Sequence, residues 1–149
     1  MLTTAAFNLL LLVSCGFAAV RGGKPEQWAA AALLTAAGAT LLINLPRSAH
    51  FRNVETEVLL VDLALLAALV VLALRANRFW PIWITALHAS TVAVHLAKAA
   101  NPELVWPVYA TAAQASAVPI QLILLWAAMR HRRRRKRMGS DPPWSGSSA

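Results

Sequence analysis

Acidic residues are few in this sequence: six Asp and Glu stand against fourteen Lys and Arg in 149 positions. Charged residues of both signs make up 13% of the chain, about half the share usual in a water-soluble domain. The single cysteine, Cys15, rules out an intrachain disulfide and any CxxC metal or redox site. A Gly-rich phosphate loop, a nucleophile elbow, an HExxH pair and an EF-hand loop are also missing, and with them the usual sequence marks of phosphoryl transfer, hydrolysis and calcium sensing. The expectation on these grounds is a non-enzyme with no cofactor and no metal site.

What the sequence does have is apolar length. Hydrophobic residues make up 58% of it, gathered in five runs of about 2–20, 28–45, 58–74, 82–100 and 108–129. Each approaches the roughly 20 residues that a helix rising 1.5 Å per residue needs to cross a hydrocarbon core about 30 Å thick. The fold class read from this is all-α: a five-helix transmembrane bundle over residues 1–129, then a basic and finally disordered tail over 130–149. Any chemistry must then sit inside the bundle or at its rims. "LLVSCG" at 11–16 resembles a lipobox, but no Lys or Arg precedes Arg21, so 2–20 is read as a span, not a cleaved or lipidated leader.

Basic residues are retained on the cytoplasmic side of a membrane. With five spans, Arg21, Lys24, Arg75, Arg78, Arg130, Arg132, Arg133, Arg134, Arg135, Lys136 and Arg137 share one side, and Arg47, Arg52 and Lys98 the other. The N-terminus is therefore expected outside and the C-terminus in the cytoplasm of a bacterial inner membrane. Seven of the eleven belong to the tail, which also attracts anionic lipid at about 1 kcal/mol per residue. No recognition fold accompanies them, so topology and lipid contact are preferred to nucleic-acid binding.

"FWPIW" at 79–83 and "VWPVY" at 105–109 put Trp-Pro ahead of a span, where proline tolerates the first helical turn. Trp28, Trp80, Trp83, Trp106, Tyr109 and Trp126 read as an interfacial aromatic belt in preference to a ligand cage. Small residues through the second span suit close helix contact, and Pro119 is expected to kink the fifth span near its middle.

Polar residues inside the spans are candidate functional groups by default. Asp62, His95, Gln114 and Asn8 fall roughly 6–9 Å from the outer end of their helices, and His88 and Gln121 about 18–20 Å deep. In an antiparallel hairpin of spans four and five, facing positions keep a constant sum, which sets His95 opposite Gln114 and His88 opposite Gln121. This amide pairing is the expected reason for the two histidines. A bis-His haem in one chain is excluded because both lie on one helical face, leaving only a dimeric or His/Met site. The other rival is a proton or cation relay through Asp62 and His95, against a plain wet vestibule shared by the same groups.

"KPEQWAAAALL", "RANRFWPIW" and "VHLAK" resemble segments of small multi-pass inner-membrane proteins of alphaproteobacteria, sphingomonads in particular. The resemblance covers most of the bundle but not the basic tail. It implies location and fold, and transfers no catalytic residue. Together these features read first as a non-enzymatic accessory or interaction protein, contacting a membrane-protein partner or a second copy of itself. The alternative is a small transporter or proton-linked protein built on Asp62 and His95, with a haem-binding redox subunit behind it.

Overall fold

The computed structural model describes residues 4–44, 54–101, 111 and 114–139. They form five helices and no β-strand: α1 (Thr4–Arg21), α2 (Lys24–Asn44), α3 (Val54–Arg75), α4 (Trp80–Ala100) and α5 (Ala117–Met138). Each helix packs on its neighbours in sequence, and α5 returns between α4 and α1, so the five close into a ring; α2 also reaches across to α5. Leu69, Leu72, Ile84 and Leu124 are the largest apolar side chains sealed within it, and Ala18, Ala29, Ala127 and Ala128 let the helices approach closely around them. Cys15 lies fully buried within α1.

Two of the helices, over Lys24–Ile43 and Thr56–Arg75, are long and apolar enough to cross a membrane. A shorter apolar stretch covers Ala5–Arg21. Large apolar side chains such as Leu12, Leu41, Leu60, Leu74 and Ile82 face outward.

The α1–α2 turn is made by two glycines. Gly22 N–H closes α1 on the carbonyl of Ala18 at 2.9 Å, and a Cβ at this position would lie 2.4 Å from that carbonyl oxygen and 2.6 Å from Glu26 Cβ. Gly23 precedes α2, and Glu26 in the first turn of that helix reaches back to accept its N–H at 3.0 Å. That is one half of a capping box, with glycine in the cap position. At the α3–α4 turn, Pro81 occupies the first turn of α4, as the Trp-Pro motif predicts.

The fifth helix differs from its expected bounds. Ser116 is its N-cap, so Pro119 stands in the first turn, where its missing N–H removes no helical bond, and not in mid-helix. Residues 111 and 114 are helical too, with a turn at 115–116, so the helical path is interrupted just ahead of Pro119 and α5 starts after that break. Pro119→Ala should accordingly change stability by less than about 1 kcal/mol, against the ~3 kcal/mol released on removing an interior proline. Thermal unfolding in detergent measures it.

At its other end α5 continues past Met129 through the whole basic run to Met138. Gly139, at φ 72°, ends it by donating its N–H to Arg135 O at 3.1 Å. Basic residues in the last turn complement the negative end of the helix dipole. Residues 130–138 thus continue the last helix of the bundle, whereas 140–149, expected to be disordered, lie outside the described residues.

Candidate functional site

Two histidines seven residues apart on α4 face α3, not α5. His95 Nε2 lies 3.0 Å from Asp62 Oδ2, and His88 Nε2 lies 3.0 Å from the main-chain oxygen of Asp62 and 3.8 Å from its Oδ1. A carbonyl oxygen can only accept, so the His88 bond fixes a proton on Nε2; its second lone pair admits this donor beside the helical one. The 3.0 Å contact between His95 and the carboxylate is different. An imidazole N–H donating to a carboxylate and a carboxyl O–H donating to an imidazole nitrogen both satisfy it.

Solvent reaches little of this cluster. The side chains of His88, His95 and Asp62 are 7%, 10% and 16% exposed. Asp62 stands on the apolar stretch Thr56–Arg75, about 20 Å along α3 from the arginine that ends it. Thr91, one turn from His88, is hydrogen-bonded to Ser116 Oγ, which ties the N-terminus of α5 to the same part of α4.

The structure therefore brings together Asp62, His88 and His95 and leaves the other sequence candidates apart. Gln121 is 2% exposed, but its Oε1 has no hydrogen-bond partner, since His88 turns to Asp62 instead. Gln114 is exposed, as is Asn8 on α1, a helix whose neighbours are α2 and α5. The expected His–Gln pairing is overturned for a physical reason: α4 has a neighbour on each side, and a carboxylate attracts an imidazole more strongly than an amide does.

A second polar cluster, missed in the sequence, lies at the basic end. Glu26 is fully buried; beyond Gly23 N–H, its Oε1 accepts the indole N–H of Trp80 at 3.1 Å. His131 on α5, 6% exposed, covers the same glycine: a Cβ on Gly23 would lie 2.8 Å from His131 Cε1 and 3.0 Å from Glu26 Oε2. Trp80 is thus buried and bonded, and its assignment to the aromatic belt is corrected. Trp28, Trp83 and Trp126 are exposed as a belt requires; Trp106 and Tyr109 lie outside the described residues. Trp83 stacks on Trp126 with centroids 6.4 Å apart, and the Arg130 guanidinium sits 5.2 Å above Trp126.

No family model, curated protein or solved structure matches the chain.

The Glu26 contacts also bear on the charge pattern. They join the α1–α2 turn, the start of α4 and the C-terminal half of α5, so Arg21, Lys24, Arg75, Arg78 and the basic run of α5 gather at one end of the ring. Asp62 and His95 stand toward the other. An apolar groove of about 410 Å³ between α2 and α3, lined by Trp28, Thr35, Val61, Leu65 and several alanines, holds no ionisable group.

Proposed function

We propose that this chain is a five-span inner-membrane protein, N-terminus outside, whose α3–α4 interface binds and releases a proton. The observation that carries the reading is the 3.0 Å contact of Asp62 Oδ2 with His95 Nε2, within helices whose outward faces are apolar. Support for the spans comes from hydropathy and from exposure together. A core helix of a water-soluble domain is mostly buried, whereas 22% of the first apolar stretch and 17% of the second is buried here. In lipid those outward side chains have a matching solvent.

The accessory and proton-linked readings part at this site. A protein that only contacts others has no need of a shielded acid–imidazole pair, which is costly in a membrane and for that reason usually functional. A proton placed between Asp62 and His95 can move with little change in heavy-atom position. Such a site suits coupling a proton to a transported solute or to a change in helix packing. Haem ligation through Nε2 of either histidine would break its Asp62 contact, which weighs against the redox reading. The basic end faces the cytoplasm in this orientation, where Arg130 and the arginines after it contact anionic lipid.

The test is infrared difference spectroscopy on the full-length protein oriented in liposomes, with pH stepped on one side at a time between about 4 and 9. A carboxyl band should respond to the outer pH, vanish in Asp62→Asn, and shift in His95→Gln while helix content stays constant. Identical difference spectra for wild type and Asp62→Asn would overturn the proposal.

A further inference from the structure

Besides the thiol of Cys15, the Asp62 cluster leaves two buried ionisable groups unused among the described residues, Glu26 and His131 at the basic end. Along α4 the relation of the two clusters is simple. Trp80 holds Glu26 and His88 holds Asp62, and eight residues, about 12 Å of helix, separate them. Between them α4 turns Ile84 inward, fully buried, and Leu69 of α3 and Leu124 of α5 are sealed beside it in the same core cluster. These apolar side chains form the layer that parts the two polar regions.

Each side of this layer has a polar lining. His88 on α4 is one turn from Ile84, and Gln121 on α5 is one turn from Leu124, both displaced toward Asp62. Gln121 Oε1 is buried without a partner, the condition that an internal water normally relieves. On the other side are Glu26 and His131. The charged groups around that end are Arg21 on α1, Lys24 on α2, Arg75 and Arg78 about the α3–α4 turn, and the basic run of α5 on both sides of His131, from Arg130 to Arg137.

We propose that Glu26 and His131 are the cytoplasmic proton acceptor of a path that begins at Asp62 and His95, closed at rest by the Leu69–Ile84–Leu124 layer. The inference rests on the proton-binding reading of Asp62. One proton taken up from outside on the Asp62–His95 pair is matched by one released from Glu26–His131 to the cytoplasm. Only O–H and N–H bonds are made and broken, and water entering beside Gln121 and His88 completes the chain when the layer parts. Glu26 suits the inner terminus because its two oxygens accept from Gly23 and Trp80, which hold the carboxylate in place.

Proteoliposomes of the full chain, with a pH-sensitive dye inside, test this. Leu124→Ser should raise passive proton flux about tenfold or more, the change that about 1.4 kcal/mol off the barrier gives. Adding Glu26→Gln or Asp62→Asn to Leu124→Ser should return the flux to the wild-type level. A leak that ignores Glu26→Gln, or a folded Leu124→Ser without a leak, overturns the path while leaving the Asp62 site intact. Ile84→Thr attacks the same layer from α4 if Leu124→Ser misfolds. In unmodified protein the Glu26 carboxyl band should follow inner pH alone; a band that follows outer pH, or that never responds, also overturns the path. Loss of the Asp62 response itself would instead remove the reading on which the path stands.

Discussion

Gly22→Ala should lower the stability of the bundle by about 1–3 kcal/mol, the range that overpacking usually costs. The new Cβ would lie 2.4 Å from the Ala18 carbonyl oxygen and 2.6 Å from Glu26 Cβ. Neither of these can swing away, since one is main chain and the other is the first atom of a side chain held at both its oxygens. Relief requires the α1–α2 turn to open, and that withdraws Glu26 from Trp80. Gly16→Ala and Gly38→Ala are the internal controls. No atom lies within 4 Å of either added methyl, and a glycine inside a helix is about 0.5–1 kcal/mol less favourable than alanine, so both should be neutral or mildly stabilising. Thermal melts in one detergent order the three variants; a Gly22→Ala melting point equal to that of Gly38→Ala would contradict the tight turn.

Glu26→Leu should have the larger effect, about 2–5 kcal/mol. It leaves the buried donor Trp80 Nε1–H, worth about 1–3 kcal/mol, and the half-buried donor Gly23 N–H, worth less, without acceptors. His131 loses its carboxylate neighbour at the same time. Glu26→Gln keeps one acceptor oxygen and orphans only one donor, so it should fall between wild type and Glu26→Leu. Trp80→Phe in the Glu26→Leu background separates the contributions, because removing the indole N–H should recover part of the loss. Denaturation followed by tryptophan fluorescence, with each variant referred to its own folded spectrum, reads the series. Equal stability of Glu26→Leu and wild type would mean that the buried carboxylate does not hold this end together.

Four of the five helices stand close to where hydropathy sets them, and the reason is physical: an apolar run flanked by charge both tolerates lipid and completes its own backbone hydrogen bonds. The start of the fifth falls partly outside the described residues, and its end runs on to Met138 because hydropathy measures which residues tolerate apolar surroundings and not where a helix stops. Pro119 carried the better signal, since a proline three residues after a serine is as well suited to a first turn as to a kink. The hairpin arithmetic correctly made α4 and α5 neighbours, yet it assumed that α4 had only one partner. Asp62 was identified individually, and its partner His95 with it. Glu26 has a legible signal, since Gly23 followed three residues later by Glu26 is the pattern of a helix cap, but its burial against Trp80 depends on packing with α4. His131 was hidden among arginines; only the packing of α5 onto the α1–α2 turn shows that it is buried.

Closure of the ring by α5 has a consequence for how the protein is made. The helix that fills the gap between α1 and α4 is the last of the five to leave the ribosome, so its two neighbours must wait side by side with an open seam. During that interval Glu26 can already find Trp80, both being present in the first four helices, whereas the cover that His131 provides over Gly23 comes late. An assembly intermediate in which Glu26 is already held by Trp80 but not yet covered by His131 is therefore built into the order of synthesis, and α5 is the piece that completes this end of the ring.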